Sequence, residues 1–333
     1  MGRVSSREVS VRTGYRIYVG FYRFKDLPYL YGALGFSLEE PQLVLIASNS
    51  HEVSIKTPLQ EINDLVRNAL KVLKASGVSV SLSGYLGLHS GLGLRTRVVL
   101  STVTAVSLLK KVDADPVRIA QAMGRGRLSA VGLHTFMHGN LVIDSGARLR
   151  GGRIAEKPEL IAVFPVPEEW YVVVAVPEEG LEKHAFDLES CLANVEEYVH
   201  QAELYREVTM LISSLTHGDF KTFTNSIARI QEHNRRYFTE HSGTFYGENT
   251  LELIECMRRA GLKGVGQSLL GPTAFGFTDS YIKAVEARTA VLEYFSRRGL
   301  QGRAWVTNVA RIGHHVTISR RYVRSTAKAP EIT

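Results

Sequence analysis

Cysteine and long apolar runs are both scarce in this sequence. Cys191 and Cys256 are the only cysteines among its 333 residues, which is too few for a disulfide framework or a cysteine-rich zinc site. No apolar run approaches the roughly 20 residues that a helix needs to cross a bilayer, and residues 1–20 lack the continuous apolar block of a secretory signal. These absences exclude a membrane protein and predict a cytoplasmic location.

Negative charge is also in deficit. The sequence has 40 Lys and Arg against 33 Asp and Glu, giving a net charge of +7, and such an excess favours anionic partners such as phosphorylated metabolites or nucleic acid. The basic residues are spread along the chain, with only a modest cluster at Arg320, Arg321, Arg324 and Lys328. We interpret this cluster as solvated surface, and we expect phosphorylated metabolites rather than nucleic acid.

The length of the chain is compatible with two lobes. We place the boundary near Val166, which gives lobes of residues 1–165 and 166–333, because the pattern becomes mainly helical beyond it. Strands are predicted where β-branched and aromatic residues concentrate, and helices where apolar residues recur every three or four positions. The mixture predicts an α+β protein.

The predicted strands are Tyr15 to Tyr22, Leu43 to Ala47, Val53 to Lys56, Val78 to Ser83, Leu141 to Ile143, Leu160 to Phe164 and Tyr171 to Val176, with a terminal pair at Ala304 to Val309 and Val316 to Ser319. The predicted helices are Glu61 to Ala75, Thr96 to Leu109, Pro116 to Met123, much of Asp187 to Arg236, Asn249 to Ala260 and Asp279 to Arg298.

A glycine-rich stretch lies between the strand that ends at Ser83 and the helix that follows. Glycines let the backbone approach an oxygen-rich ligand, and the unpaired N–H groups of a helix's first turn attract phosphate. No Gly-Lys-Ser/Thr follows, so the stretch is not a P-loop. It predicts an anion site, with a plain tight turn as the alternative, and its candidate binding residues are His89, Ser90, Gly91, Leu92, Gly93 and Thr96.

A second constellation follows in the middle of the chain. Arg125 and Arg127 flank a flexible turn that ends at Ser129, and the planar fork of arginine suits bidentate contacts with phosphate or carboxylate. The alternative is a solvated basic loop. His138 and Asp144 lie six residues apart across a predicted strand, which places both side chains on one face. They predict an acid–base pair in which Asp144 is a magnesium ligand or a base. The alternative is that Asp144 is only the polar end of a strand.

Another glycine-rich loop lies in the final third of the chain. Its glycines, hydroxyls and amide predict either a ligand-binding loop or a turn between strands. The candidate binding residues are Gly266, Gln267, Ser268, Gly271 and Thr273.

Four segments together resemble a known superfamily. LHSGLGLRTRVVLSTVTA is similar to the phosphate-binding motif of the galactokinase, homoserine kinase, mevalonate kinase and phosphomevalonate kinase (GHMP) superfamily. The histidine before Gly-Leu-Gly resembles the β-ribofuranosylaminobenzene 5′-phosphate synthase family within it. LGFSLEEPQLVLIAS, GRGRLSAVGLHTFMHGNLVIDSG and GVGQSLLGPTAFGF resemble that family's early, central and C-terminal segments, in the same order.

The resemblance implies a two-lobed fold, with an N-terminal lobe like domain 2 of ribosomal protein S5 and a ferredoxin-like C-terminal lobe. It also implies that the two glycine loops pack together at the active site. This sequence departs from the family in the first loop, where Leu94, Arg95 and Arg97 replace smaller residues. A further departure is Ile17-Tyr18-Val19, which lacks the family's usual histidine.

The activity implied by the resemblance is a transfer reaction. Phosphoribosyl diphosphate condenses with 4-aminobenzoate or 4-hydroxybenzoate, releasing CO2 and pyrophosphate, to make a C-riboside for a methanopterin-type coenzyme. Gly91, Gly93, Thr96 and Arg127 are the candidates for the diphosphate, Arg125 or Ser268 for the carboxylate. Mg2+ and a homodimer are further expectations.

Two other functions stay open from the sequence. An ATP-dependent kinase of the same fold would hold nucleotide phosphates on the Gly91 loop and use Asp144 to assist the hydroxyl of a small alcohol. A noncatalytic basic protein would only bind anions, and its binding would weaken steeply with salt.

Overall fold

The computed structural model describes residues 3–57, 59–178, 198–242 and 248–324. The helices within these ranges are α1 (Gln60–Val72), α2 (Leu94–Lys110), α3 (Pro116–Ala122), α4 (Val131–His138), α5 (Gln201–His217), α6 (Phe220–Ser242), α7 (Glu248–Arg259) and α8 (Tyr281–Arg297). The strands are β1 (Arg3–Phe21), β2 (Ala33–Asn49), β3 (Ser54–Lys56), β4 (Val78–Ser83), β5 (Leu141–Asp144), β6 (Arg148–Arg150), β7 (Arg153–Glu156), β8 (Leu160–Phe164), β9 (Tyr171–Pro177), β10 (Lys263–Gln267), β11 (Ala274–Thr278), β12 (Gly302–Thr307) and β13 (His315–Arg324). Cys191 and the predicted helical residues 187–197 lie outside the described residues.

A seven-stranded sheet forms the base of the first lobe. Its order is β13–β1–β2–β4–β3, with β5 beside β2 and β8 beside β5. The antiparallel pairing of β1 with β2 shifts register between Gly14 and Arg16 and again between Tyr18 and Gly20. Irregularities of this kind bend a strand and redirect its side chains. The short segment from Arg16 to Tyr18 is thereby set apart from the rest of β1.

A four-stranded antiparallel sheet of order β10–β11–β9–β12 forms the second lobe. α7 and α8 pack on it, and α6 contacts both β10 and β1. Phe277 of β11 lies against Phe36 of β2, with ring centroids 5.4 Å apart, and against Phe223 of α6 at 5.1 Å. The two sheets therefore share one aromatic core, which fixes how the lobes meet.

Local patterns predicted several elements well. β4 and β8 have the predicted bounds, and α2 begins two residues before the predicted start. Asp115 caps α3 as expected, since its Oδ1 accepts hydrogen bonds from Val117 N–H at 2.8 Å and Arg118 N–H at 3.2 Å. Among the described residues, no helix is both long and apolar enough to cross a membrane.

Three expectations about elements were wrong. The two terminal strands do not pair with each other, because β12 pairs with β9 and β13 pairs with β1 in the first sheet. β1 begins at Arg3 rather than Tyr15, and its polar first half shows why composition missed it. α4 was missed altogether. The lobe boundary at residue 166 stays a prediction.

Candidate anion-binding cleft

The two glycine loops meet in the structure. The first connects β4 to α2 and the second connects β10 to β11. Ser268 Oγ donates a hydrogen bond to the Gly91 carbonyl at 2.7 Å, and Thr273 Oγ1 donates to the Ser90 carbonyl at 2.6 Å. A Cβ atom on Gly91 would lie 2.6 Å from the Ser268 carbonyl oxygen, so only glycine allows this approach. The expected convergence of the loops is confirmed.

The second loop supports the first from behind. Gly266, Gln267, Ser268, Gly271 and Thr273 are all buried, and the Ser268 and Thr273 hydroxyls already donate to the first loop. This arrangement assigns the loop a structural role in shaping the site. Direct contact between its residues and a ligand stays a prediction.

The first loop ends at an open helix terminus. Gly93 has a left-handed backbone, φ 78° and ψ 24°, and α2 begins at the next residue without a side-chain cap. The N–H groups of the first turn, which includes Thr96, are therefore available to an anion. Of the other predicted loop residues, Ser90 and Leu92 are buried and His89 is half-buried.

Arg16 lies directly beneath this loop. Its backbone N–H donates to the Leu92 carbonyl at 3.2 Å, and its guanidinium donates to the Gly91 carbonyl at 2.7 Å. Its Nε is buried without a hydrogen-bond partner, and within the described ranges no carboxylate forms an ion pair with it. Burial lowers the pKa of Arg16 to about 10, so it is still charged at neutral pH. A half-buried cation whose Nε is buried and unpartnered, and which has no counter-ion, indicates a place for an anionic ligand.

Arg16 opens into a cleft of about 360 Å³. Four arginines line the cleft, namely Arg16, Arg95, Arg125 and Arg127, together with Thr96 and Ser129. The remaining lining residues are Tyr18, Gly124, Gly126, Leu128, Gly132, Leu133 and Leu269. No acidic side chain is among these described lining residues. The structure thus brings the first glycine loop and the central Arg125–Ser129 segment together, as one positively charged site.

The arginines of the cleft differ in their surroundings. Arg127 is exposed and Arg125 is half-buried, so both sit where a ligand arriving from solvent would meet them. Arg95 forms an ion pair with Glu61 of α1. Its charge is therefore partly compensated before any ligand binds.

Asp144 is wholly buried, and its oxygens already accept hydrogen bonds within the fold. Its Oδ1 accepts hydrogen bonds from Ala33 N–H and Gly146 N–H, both at 3.0 Å. Its Oδ2 accepts from Ser129 Oγ at 2.8 Å, Ala130 N–H at 2.7 Å and Val131 N–H at 3.2 Å. Five donors occupy its two oxygens, and the carboxylate caps α4 from a neighbouring strand.

The buried position of Asp144 does not fit a magnesium ligand. Burial raises its pKa to about 6, although the hydrogen bonds from Ser129 and from the backbone of Gly146, Ala130 and Ala33 oppose this shift. Within the described part of the chain, no group of three or more His, Cys, Asp or Glu side chains is arranged to hold a metal ion.

His138 does not pair with Asp144, and the geometric reasoning behind that pair was wrong. The two residues are not on one strand, because α4 ends at His138 and Gly139, with φ 65° and ψ −153°, separates it from β5. His138 is exposed and stacks near His134, with ring centroids 6.1 Å apart. The strand alternation that was assumed therefore does not apply.

Arg97, one of the departures in the first loop, is a structural residue. Its guanidinium donates to the Gly14 and Gly132 carbonyls at 2.9 and 3.0 Å. It also donates to Ser37 Oγ at 3.4 Å and to Thr135 Oγ1 at 3.1 Å. Arg97 thus ties α2 to β1, β2 and α4.

Sequence reasoning missed Arg16 and Tyr18 as site residues. Both lie on the irregular segment of β1 and line the cleft. The available signal was Ile17-Tyr18-Val19, where the resembled family has a histidine, since a departure at a family's functional position marks a position to inspect. A groove of about 900 Å³ between α7 and α8, lined in part by Leu251, Cys256 and Tyr294, contains none of the predicted site residues.

Comparison with known proteins gives relatives of modest identity over most of the chain. No protein-family model matches. The chain is 26% identical over 305 residues to the β-ribofuranosylphenol 5′-phosphate synthase of Archaeoglobus fulgidus, covering 86% of this chain and 92% of the relative. It is 25% identical over 284 residues to the protein of that name from Methanothermobacter thermautotrophicus, covering 74% and 82%.

Solved structures establish the fold. A homoserine kinase from Cytophaga hutchinsonii superposes with a TM-score of 0.66 at 17% identity, over 93% of this chain and 97% of that one. A mevalonate diphosphate decarboxylase from Enterococcus faecalis gives 0.59 at 12% identity, over 94% and 100%. The chain has the α+β fold of the GHMP kinases, as the sequence predicted.

Proposed function

We propose that this chain, with the GHMP kinase fold and homologues that are β-ribofuranosylphenol 5′-phosphate synthases, is itself a phosphoribosyl-diphosphate-dependent transferase. Its reaction condenses phosphoribosyl diphosphate with a 4-substituted benzoate and releases CO2 and pyrophosphate, within the synthesis of a methanopterin-type coenzyme. The relatives are named for a product that is a ribosylated phenol. A phenol product favours 4-hydroxybenzoate over 4-aminobenzoate as the acceptor.

One observation carries the proposal. Arg16 is half-buried, and its buried Nε has no partner; it lies next to the uncapped N-terminus of α2, in a cleft with three more arginines. A diphosphate bears several negative charges on closely spaced oxygens, and it suits a site that combines main-chain donors with arginine.

The chemistry follows from this charge distribution. The bond from the ribose anomeric carbon to the diphosphate oxygen breaks, and its electron pair leaves with pyrophosphate while positive charge develops on the sugar. The ring carbon that bears the carboxylate attacks the anomeric carbon, and loss of CO2 then returns an electron pair to the ring. Arg16 and the α2 N–H groups stabilise the leaving group because they are already oriented toward it. Arg125 and Arg127 are proposed to hold the remaining anionic groups.

The proposed enzyme also uses Mg2+ and forms a homodimer. Mg2+ is expected to arrive bound to the diphosphate, since the oxygens of Asp144 already accept five hydrogen bonds. We also propose a cytoplasmic homodimer. β13 supports the dimer, because it is an edge strand whose residues 315–320 are all exposed, and such edges pair readily with another strand.

An ATP-dependent kinase is the second candidate, and the observation in its favour is the fold shared with homoserine kinase. Fold alone does not determine chemistry. Arg97, which stands where the resembled family commonly has glutamine, donates its hydrogen bonds to internal groups. A noncatalytic anion-binding protein would share the basic cleft but turn over neither substrate pair.

One assay separates these functions. Purified protein with Mg2+ receives phosphoribosyl diphosphate plus carboxyl-labelled 4-hydroxybenzoate, or ATP plus a panel of small alcohols. We expect labelled CO2 and pyrophosphate in equal amounts from the first mixture. ADP formation in the second mixture, without labelled CO2 from the first, would establish the kinase instead, and no turnover in either would leave only anion binding.

A further inference from the structure

Tyr18 carries a hydroxyl group that the fold leaves without a partner. The side chain is 3% exposed and lies on β1 two residues after Arg16, lining the same cleft. Its hydroxyl oxygen is buried, and within the part of the chain that the structure describes no donor or acceptor meets it in hydrogen-bonding geometry, although Ser129 is close enough to influence its pKa. Because an unpaired buried hydroxyl is costly, this group is a candidate for contact with a ligand.

The ring of Tyr18 is fixed in place. Its backbone N–H donates to Ser268 Oγ at 3.0 Å, and its carbonyl accepts from Leu269 N–H at 3.2 Å. The Arg16 guanidinium lies 5.1 Å from the ring centroid, and the Phe21 ring meets it edge-on at 5.2 Å. Tyr18 is therefore held from several sides in its position at the cleft.

Ser129 and Asp144, the polar side chains near Tyr18, hydrogen-bond to each other. Ser129 Oγ donates its proton to Asp144 at 2.8 Å, so it has none to give to Tyr18. Burial, and then the charge of Asp144, raise the pKa of Tyr18 well above its ordinary value, against the opposing influence of Ser129 and Arg16. Tyr18 is thus a neutral phenol at physiological pH, able both to donate and to accept a hydrogen bond.

The polar surroundings of Tyr18 differ from those of the other cleft residues. The Arg16 guanidinium lies over its ring and Asp144, which accepts from Ser129, adds a negative charge nearby, whereas Arg95, Arg125 and Arg127 add further positive charge to the cleft lining. Leu128, Leu133 and Leu269 supply apolar lining. An anionic group is favoured at the arginines, and a neutral hydrogen-bonding group is favoured at Tyr18.

We infer that Tyr18 determines acceptor specificity, by hydrogen-bonding the neutral hydroxyl or amino group that lies opposite the carboxylate on the benzoate ring. This inference rests on the proposed function and specifies the orientation of the acceptor, with its hydroxyl or amino group at Tyr18. The carboxylate points toward the arginines, and the ring lies against the leucines.

The test compares two acceptors of similar size, 4-hydroxybenzoate and 4-methylbenzoate, of which only the first has a polar group at the para position. Their dissociation constants are measured by calorimetry with pyrophosphate and Mg2+ present, and turnover of 4-hydroxybenzoate is followed by release of labelled CO2. We expect the native protein to prefer 4-hydroxybenzoate by about tenfold, the usual effect of one neutral hydrogen bond. Tyr18→Phe should bind the two acceptors equally.

Tyr22→Phe is the matched control. The Tyr22 hydroxyl is also buried, but it donates to the Asp144 carbonyl at 2.8 Å and is not part of the cleft lining. Its loss should lower the melting temperature and keep the acceptor preference. Tyr18→Phe, which removes only an unpartnered oxygen, should melt at the native temperature or above it.

The outcomes separate the inference from the proposed function. A Tyr18→Phe protein that binds 4-hydroxybenzoate over 4-methylbenzoate with the native preference would overturn the role of Tyr18 alone. A native protein that turns over 4-hydroxybenzoate but binds both acceptors equally would do the same. A native protein that neither binds nor turns over 4-hydroxybenzoate would overturn the proposed function together with the inference.

Discussion

Arg16 and Arg97 are two arginines near each other in the same lobe, and their surroundings differ in one decisive respect. Arg97, 1% exposed, donates to four acceptors on three elements. Arg16 donates from its side chain to one, the Gly91 carbonyl, and its Nε has no partner. Neither has an acidic partner in an ion pair among the described residues. A buried cation whose donors are all used stabilises the fold, whereas one with unused donors is prepared for a ligand.

The pKa values of the two residues show that desolvation acts on both. Burial lowers the pKa of Arg97 to about 9, with the charge of Arg16 as the next contribution, and burial lowers that of Arg16 to about 10. Each charge therefore carries a desolvation penalty. For Arg97 the internal hydrogen bonds offset it, and for Arg16 the proposed offset is an anion.

Replacing Arg97 should have the largest effect on the fold. Arg97→Met removes four hydrogen bonds that join α2 to β1, β2 and α4, and we expect the free energy of unfolding to fall by about 3 kcal/mol. Urea denaturation followed by circular dichroism measures it. Native stability in this variant would mean that the observed hydrogen bonds contribute nothing net, and the distinction between the two arginines would fail.

Replacing Arg16 should instead affect binding. In Arg16→Met the Gly91 carbonyl keeps its hydrogen bond from Ser268 Oγ, and a desolvated charge disappears, so stability should be equal or higher. Pyrophosphate affinity should fall about 100-fold, or about 2.7 kcal/mol, as expected for loss of a buried charged contact.

Calorimetric titration with pyrophosphate measures this loss, with Arg97→Met, below its denaturation temperature, as the comparison variant. If Arg16→Met bound pyrophosphate as tightly as the native protein, the cleft would not be the diphosphate site.

A third buried group sharpens the comparison, with the smallest expected effect. His134 of α4 is 8% exposed and its Nε2 has no partner in the described chain, but it does not line the cleft. Burial, and then the nearby His138, lower the pKa of His134 to about 4. Between about pH 6.5 and 4, the His134 imidazole is therefore protonated in the unfolded chain and neutral in the folded protein. The free energy of unfolding falls as the pH falls through this window.

The contribution of His134 should be about 1 kcal/mol. The free energy of unfolding is measured from pH 7 to 4.5 for the native protein, His134→Gln, and His51→Gln as the exposed control. The pH dependence should weaken in His134→Gln alone, with pyrophosphate binding unchanged. An identical slope in all three proteins would contradict the assignment.

Much of the fold was predictable because it depends on local patterns. The strand at 78–83, the helix after the first glycine loop and the Asp115 cap follow from alternation, periodicity and capping chemistry, which act over a few residues. The anion site around Gly91 was also predictable from neighbouring residues, since glycines before a helix leave main-chain N–H groups open to a ligand.

The roles of single polar residues were harder to predict, because partners distant in the chain decide them. Asp144 was expected at a catalytic or metal site, and the structure shows it accepting N–H groups from residues as far away as Ala33. α4 was invisible to local propensity because Asp144 caps it from another strand. His138 was therefore assigned to the wrong kind of element.

The sequence by itself determined the α+β class, the cradle at Gly91 to Gly93, the basic central segment and the superfamily resemblance, because each is written in neighbouring residues. Only the tertiary structure decided which charged side chains have hydrogen-bond partners for all their polar atoms. Whether Arg16, Arg97 and Asp144 have partners depends on backbone groups far away in the chain, such as the Gly91 carbonyl for Arg16, the Gly14 carbonyl for Arg97 and the Ala33 N–H for Asp144. Long-range packing supplies or withholds those partners, and no local pattern encodes them.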